Sequence, residues 1–167
     1  MAIEGEGFLQ VDMPNGNTGY TRSGALKRDS NGRLTTSDGY PILPAITIPD
    51  GSRQISISEG GIVSAIIGAD TNSTEIGTLE LATFTNNSGL SAIGKNLFAE
   101  TASSGTPQTG TPGENGYGTL LQTYLEGSNV NIVEELASMI TTQRAYEINS
   151  KTIQTSDEMM QTTNNLI

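Results

Sequence analysis

Carboxylates are the groups with which this chain could do chemistry. Eighteen Asp and Glu stand against 8 Lys and Arg over 167 residues, while cysteine and histidine are both absent. Those absences remove thiolate chemistry, disulfides, the ordinary zinc sites and any His-based triad or general base. Two acids at a suitable separation suffice for glycoside hydrolysis, but with this many carboxylates a pair somewhere carries almost no specificity. Asp29-Ser30-Asn31-Gly32 approaches a calcium loop, yet the full alternation of acids and the distant bidentate Glu are missing, so a turn is expected there. "GEGF" has too few glycines to cradle a phosphate, and the glycosylation sequons at Asn72-Ser73-Thr74 and Asn86-Asn87-Ser88 are of a kind that chance supplies often. The expectation is a chain with no catalytic residue, no metal site and no cofactor.

Charge narrows the partners. A net charge of −10 sets up a field that repels nucleic acid and anionic membrane alike. Arg22, Lys27, Arg28 and Arg33 lie close together, but Asp29 and Asp38 are interspersed among them, which reads as a solvated hairpin. Tryptophan is absent and other aromatics are few, so a stacking platform for bases or sugars is poorly supplied. No run approaches the roughly 20 apolar residues of a membrane span, so no membrane insertion is expected. "MAIEGEGF" lacks the cationic start and apolar stretch of a cleavable signal peptide, which leaves export by another route.

The strongest pattern is not catalytic. Ile132, Met139, Tyr146, Ile153, Met160 and Ile167 recur every seventh residue as one apolar column. The interleaved column of Leu136, Gln143, Ser150, Asp157 and Asn164 turns polar, while Val133, Ile140, Ile148, Met159 and Leu166 fall off both. A helix apolar on more than one side is surrounded by neighbours, and polar seam residues such as Gln143 either face solvent or fix register. Ile132, Val133, Leu136, Met139, Ile140, Gln143, Tyr146, Ile153, Met160 and Ile167 are therefore the candidate assembly interface. The chain holds no second helical pattern of this length, so the expected complement lies outside these residues.

The elements that must carry this column follow from glycine and proline, all of which lie before Ser128. From about Ile132 to Asn165 the chain reads as one helix of roughly 50 Å. Asn131 stands at its cap with Glu134 at the reciprocal position, Glu134 and Glu135 complement the dipole, and Glu147 precedes Lys151 at ion-pair spacing. Before it, period-two runs are bounded by turn dipeptides: Leu9, Val11 and Met13 before Asn15-Gly16, and Ile46 and Ile48 before Asp50-Gly51, with Ile55 and Ile57 after it. Asn31-Gly32, Asp38-Gly39 and Gly60-Gly61 mark further turns, and Leu79 to Phe84 reads as a later strand with Leu79 and Leu81 toward a core. The fold class is mainly β, an antiparallel domain forming a small barrel or curled sheet, followed by a long C-terminal α-helix. The expected boundaries are 1–118 for the β-rich domain, with a Ser/Thr/Gly/Pro-rich loop at 101–118, and 119–167 for the helical segment.

Several blocks, in order, resemble the axial proteins of the bacterial flagellum, the family of rod and hook proteins, and within it the distal-rod branch. "AIEGEGFLQV" is similar to the family's first strand, "GYTRSGALKRDSNGRLTTSDGYPIL" to its hairpin signature, "LATFTNNSGLSAIGKNLFAETASSG" to the segment leading into the loop, and "YLEGSNVNIVEELASMITTQRAYEINSKTIQTSDEMMQTTNNLI" to its C-terminal helix. Hook members would carry a large extra domain between the strand blocks. The resemblance implies a structural subunit, not an enzyme, that builds a helical tube and transmits torque from motor to hook. Its implied partners are other copies, other rod and hook proteins and rod-surrounding rings, and its implied place is the basal body, from periplasm to outer membrane. Family members begin with a long N-terminal helical region, which is expected to lie outside this sequence because Met1-Ala2 stands almost at the first strand. Against this stand a free-standing module whose β domain binds protein or glycan and whose helix merely dimerises it, and a carboxylate glycosidase.

Overall fold

The computed structural model describes residues 1–68 and 72–164, the side chains of 162–164 excepted. In chain order the strands are β1 (Ala2–Glu4), β2 (Phe8–Asp12), β3 (Thr18–Thr21), β4 (Lys27–Arg28), β5 (Leu34–Thr35), β6 (Ile42–Leu43) and β7 (Ser52–Ile57). They continue as β8 (Ile62–Ile67), β9 (Ser73–Thr78), β10 (Leu81–Thr83), β11 (Ser91–Gly94), β12 (Leu97–Ala99), β13 (Gln108–Gly110) and β14 (Thr119–Leu121), and one helix, α1 (Ile132–Asn164), follows. The chain divides into two units, Met1–Glu126 and Gly127–Ile167.

Every pairing in the first unit is antiparallel. Among the described residues the sheets stay open and no barrel closes: a seven-stranded sheet runs β11-β12-β3-β2-β10-β13 with β6 added beside β2. A three-stranded sheet β7-β8-β9 and the two-stranded ribbons β1-β14 and β4-β5 complete it. Strand β2 is the hub, pairing with β3 along one edge and with β10 and β6 in succession along the other. Its consecutive side chains point to opposite faces, and both faces are covered. Leu9 and Val11 join Ile42, Ile48, Leu79, Leu81 and Leu120 in the main core, whereas Phe8 joins Tyr20, Ala82 and Phe84 in a smaller one. There Tyr20 and Phe84 meet edge to face at 4.7 Å, an arrangement worth about 0.5 to 1.5 kcal/mol beyond burial.

The turn dipeptides close hairpins where the flanking runs have no stronger claim on them. Asn15-Gly16 joins β2 to β3, Asn31-Gly32 joins β4 to β5, and Gly60-Gly61 joins β7 to β8. Asp50-Gly51 also turns, but the runs on either side of it do not pair with each other. The Ile46 carbonyl accepts from Leu34 N–H at 3.1 Å and Ile48 N–H donates to the Gly32 carbonyl at 2.8 Å, while β7 takes β8 as partner. Core burial decides this, because Ile46 and Ile48 both sink into the main cluster. The free edge of β7 is held by one side chain: Gln122 Oε1 accepts from Ile57 N–H at 2.9 Å and Gln122 Nε2 donates to the Ile55 carbonyl at 2.8 Å.

Asp29-Ser30-Asn31-Gly32 is a turn, as its incomplete metal pattern implied. Asp29 Oδ1 accepts from the N–H groups of Asn31 and Arg33, both at 2.8 Å, and Oδ2 accepts from Arg33 Nε at 3.0 Å. Desolvation alone would raise the Asp29 carboxyl, but the Arg33 backbone and side chain and the Asn31 N–H outweigh it and hold it below the ordinary value. A lowered folded-state value means the contribution is complete above the usual Asp titration near ~3.9 and fades as pH falls through the lower folded value. Asp29→Ala should therefore speed amide exchange at Asn31 and Arg33 at neutral pH. The gap from the parent should close in acid; a gap that persists there would show that the carboxylate does not hold the turn.

Candidate functional site

The helix begins where its cap residue stands. Val133 N–H donates to Asn131 Oδ1 at 3.1 Å and Glu135 N–H to the Asn131 carbonyl at 3.1 Å, while Glu134 and Glu135 lie in the positive first turn. No proline or glycine interrupts the 33 residues that follow. The Glu147–Lys151 ion pair is not formed among the described residues, in keeping with the small gain such an exposed pair offers against two long side chains' entropy.

Among the interface candidates, Ile132, Val133, Leu136, Met139, Ile140, Gln143, Tyr146, Ile153 and Met160 all lie on α1 and are exposed. Ile132, Tyr146 and Met160 reach 73%, 78% and 67% exposure. Ile167 lies outside the described residues, as does Leu166, and the side chain of Asn164 is likewise not described. A column repeating every seventh residue drifts about 20° per heptad on a straight helix, so partners following it must wind around α1 in a left-handed sense. The threonines present less polarity than their number implies. Thr141, Thr142, Thr152 and Thr155 turn their hydroxyls back onto helix carbonyls, with Thr142 Oγ1 donating to Ser138 O at 2.9 Å and Thr152 Oγ1 to Ile148 O at 2.8 Å. Such back-bonding slightly weakens and bends a helix.

A second arrangement, which the sequence patterns did not announce, lies in the β unit where the chain comes in and goes out. Strands β1 and β14 run side by side, with Ala2 opposite Leu121 and Glu4 opposite Thr119. Just past them the backbones nearly touch. Gly118 N–H donates to the Glu6 carbonyl at 2.7 Å, and a Cβ on Gly118 would stand 2.5 Å from the Glu4 oxygen. Only glycine fits there.

Arg22 gathers this crossing. Its Nη1 donates to the carbonyls of Gly5 at 3.1 Å and Gly7 at 3.2 Å, and its Nη2 to that of Ile3 at 3.3 Å. Its Nε donates to Glu126 Oε2 at 3.1 Å, and the guanidinium lies 5.9 Å from the Phe8 ring centroid. One planar cation thus holds three carbonyls of the incoming segment and the last side chain before Gly127. The available signal was weak: an arginine two residues past a tyrosine strand, with "GEG" upstream and a glycine far downstream, names carbonyl acceptors only once the fold is known.

Comparison with known proteins bears on these two places. A profile described as flagellar hook protein FlgE/F/G D1 domain matches residues 2–65, and one described as flagellar basal body rod FlgEFG protein C-terminal matches residues 121–166. The chain belongs to the flagellar rod and hook protein family. The first match holds Gly5, Gly7 and Arg22, and the second holds Glu126 and α1, so the Arg22–Glu126 contact joins residues of the two matched regions. The chain is 52% identical over 161 residues to a flagellar basal-body rod protein FlgG of Buchnera aphidicola, covering 96% of this chain and 62% of that one. It is 53% identical over 168 residues to the FlgG of Borreliella burgdorferi, covering 99% and 63%. A 91-residue stretch is 44% identical to the flagellar hook protein FlgE of Escherichia coli, covering 54% of this chain and 23% of that protein. The chain thus spans somewhat under two thirds of the length of the rod relatives it matches. No described helix is long and apolar enough to cross a membrane.

The joint sets a stability order. Arg22→Ala should cost about 2 to 3 kcal/mol in urea unfolding of the β unit, because it leaves carbonyls without their charged donor. Glu126→Ala should cost less than about 1 kcal/mol, since its ion pair is half exposed. Equal losses would place the anchor in the ion pair and not in the carbonyl cradle.

Proposed function

We propose that this chain is a structural, non-catalytic subunit of the distal rod of the flagellar basal body, packing with other copies into a helical tube that transmits torque from motor to hook. The observation that carries the reading is the exposed apolar column of α1, in a chain of this family and with this degree of likeness to rod proteins. A helix of 33 residues owes most of its stability to packing on something else. Each large apolar side chain it buries contributes roughly 1.5 to 3 kcal/mol before ordering entropy is subtracted. Subunits related head to tail by an operation that does not close build an open filament.

The partners proposed are copies of this chain, the other rod and hook proteins, and the rings around the rod, at a site running from periplasm to outer membrane. Nucleic acid and membrane insertion are no part of the proposal, in view of the net charge of −10. Domain limits of 1–118 and 119–167 are proposed as the functional division into outer β layer and assembly segment. Tyr146→Asp or Ile153→Asp, introduced at the chromosomal copy, should abolish rod assembly in electron micrographs and motility on soft agar, with the β unit still cooperatively folded. Normal motility in either variant would overturn the assembly role of the column. A closed dimer that saturates on sedimentation, in place of continued growth, would favour the free-standing binding module instead.

A further inference from the structure

Three asparagines in this chain precede glycine: Asn15-Gly16, Asn31-Gly32 and Asn115-Gly116. In such pairs the glycine backbone nitrogen, once it has lost its proton to hydroxide, can attack the asparagine Cγ. The new N–Cγ bond closes a five-membered succinimide, the Cγ–Nδ2 bond breaks, and Nδ2 takes up a proton from water and leaves as ammonia. Water then opens the ring at either carbonyl, giving aspartate or isoaspartate. No oxidant or enzyme is required. What the fold controls is whether the glycine nitrogen is free to act.

Two of the three glycines are committed. Gly16 N–H donates to the Met13 carbonyl at 2.9 Å and Gly32 N–H to the Asp29 carbonyl at 3.1 Å. Each glycine there is the fourth residue of its turn, so its N–H is the turn's own hydrogen bond. Gly32 is also buried. Asn115-Gly116 is built differently. Its turn bond runs from Tyr117 N–H to the Glu114 carbonyl at 2.8 Å, which puts Asn115 and Gly116 in the two central positions. Both have positive φ, 49° and 87°, as the tightest hairpin-type turns require. Gly116 N–H has no hydrogen-bond partner among the described residues, both residues are exposed, and nothing lies within 4 Å of the space a Cβ on Gly116 would take.

We infer that Asn115 is a site of spontaneous, structure-directed deamidation, and that the turns at Asn15 and Asn31 protect those residues from the same reaction. The site is placed to matter. Tyr117 packs against the main core and Gly118 makes the close crossing with Glu4 and Glu6, so an isoaspartate at 115 adds a backbone methylene three residues before that crossing. It also adds a carboxylate beside Glu114. Asp50-Gly51 also takes the two central positions of a turn, but only Gly51 has a positive φ there, a carboxylate is a far poorer electrophile than an amide, and Asp50 is already paired with Arg28.

The test is ageing of the folded chain at mildly alkaline pH, with isoaspartate located by methyltransferase labelling and peptide mass mapping, beside a parallel sample in denaturant. A turn hydrogen bond of ordinary net strength corresponds to a lead of roughly two- to tenfold for Asn115 over Asn15 and Asn31 in the folded sample. That lead should shrink on denaturation, where all three lose their turns. Asn115→Gln should remove the early isoaspartate signal and leave the slow ones. Equal rates at the three sites in the folded chain, or a lead for Asn115 that persists undiminished in denaturant, would overturn the inference.

Discussion

The β unit depends on closing its own ends. Sheets assembled from strands as short as these have little register to spare, and the first and last strands share three pairs between them. Pairing β1 with β14 makes the two ends of the β unit neighbours, and the crossing at Gly5 and Gly118 fixes how near they come. Arg22 then supplies charge-assisted donors to carbonyls that no strand partner serves. The result is that a pull on the backbone at Gly127 is met first by Glu126 and its arginine and next by β14 within the sheet, not by a loose tether.

Much of this architecture was legible as pattern. Alternation of Leu9 and Val11 before Pro14-Asn15-Gly16 specified β2 and its hairpin, and the uninterrupted stretch after Asn131 specified α1 nearly to its ends. Leu79 and Leu81 were readable as core, although only Leu81–Thr83 takes up strand pairing. What could not be read was the choice between partners. Asp50-Gly51 is as good a turn signal as Asn15-Gly16, yet Ile46 and Ile48 answer to the core and to Leu34 and Gly32 instead of to the strand beyond the turn. Local chemistry sets where the chain reverses, and long-range burial sets what it then lies beside. The same limit hid the arginine joint, because backbone carbonyls carry no residue identity for a sequence to display. Segment 101–118 shows a third mode of order: buried Ser104 exchanges hydrogen bonds with Thr101 and β13 joins β10, so polar groups share the work with buried Pro112 and core-packed Tyr117.

The helix poses the opposite case. Its heptad column is explicit in the sequence, and Ile132 through Met160 stand exposed along it. Thr141, Thr142, Thr152 and Thr155 satisfy their hydroxyls against the helix's own backbone, so these four side chains offer a partner less polarity than their type implies. On the rod-subunit reading proposed above, the apolar column would select its neighbours by shape and spacing. That suits stacking of identical or closely related helices, where a repeating profile must fit its neighbour at many successive steps.

Gln122 gives the sheet a quieter property. By filling both the donor and the acceptor position beside Ile55 and Ile57, one amide side chain imitates a single residue of a further strand and leaves β7 no vacancy there for a stranger. Where many copies of one chain are crowded together, promiscuous edge-to-edge stacking competes with ordered growth and leads toward amyloid-like aggregates. A plug at one rim of the β7-β8-β9 sheet thus acts as a safeguard on crowding, separating how tightly these molecules can be gathered from how readily they would fuse by the wrong surface.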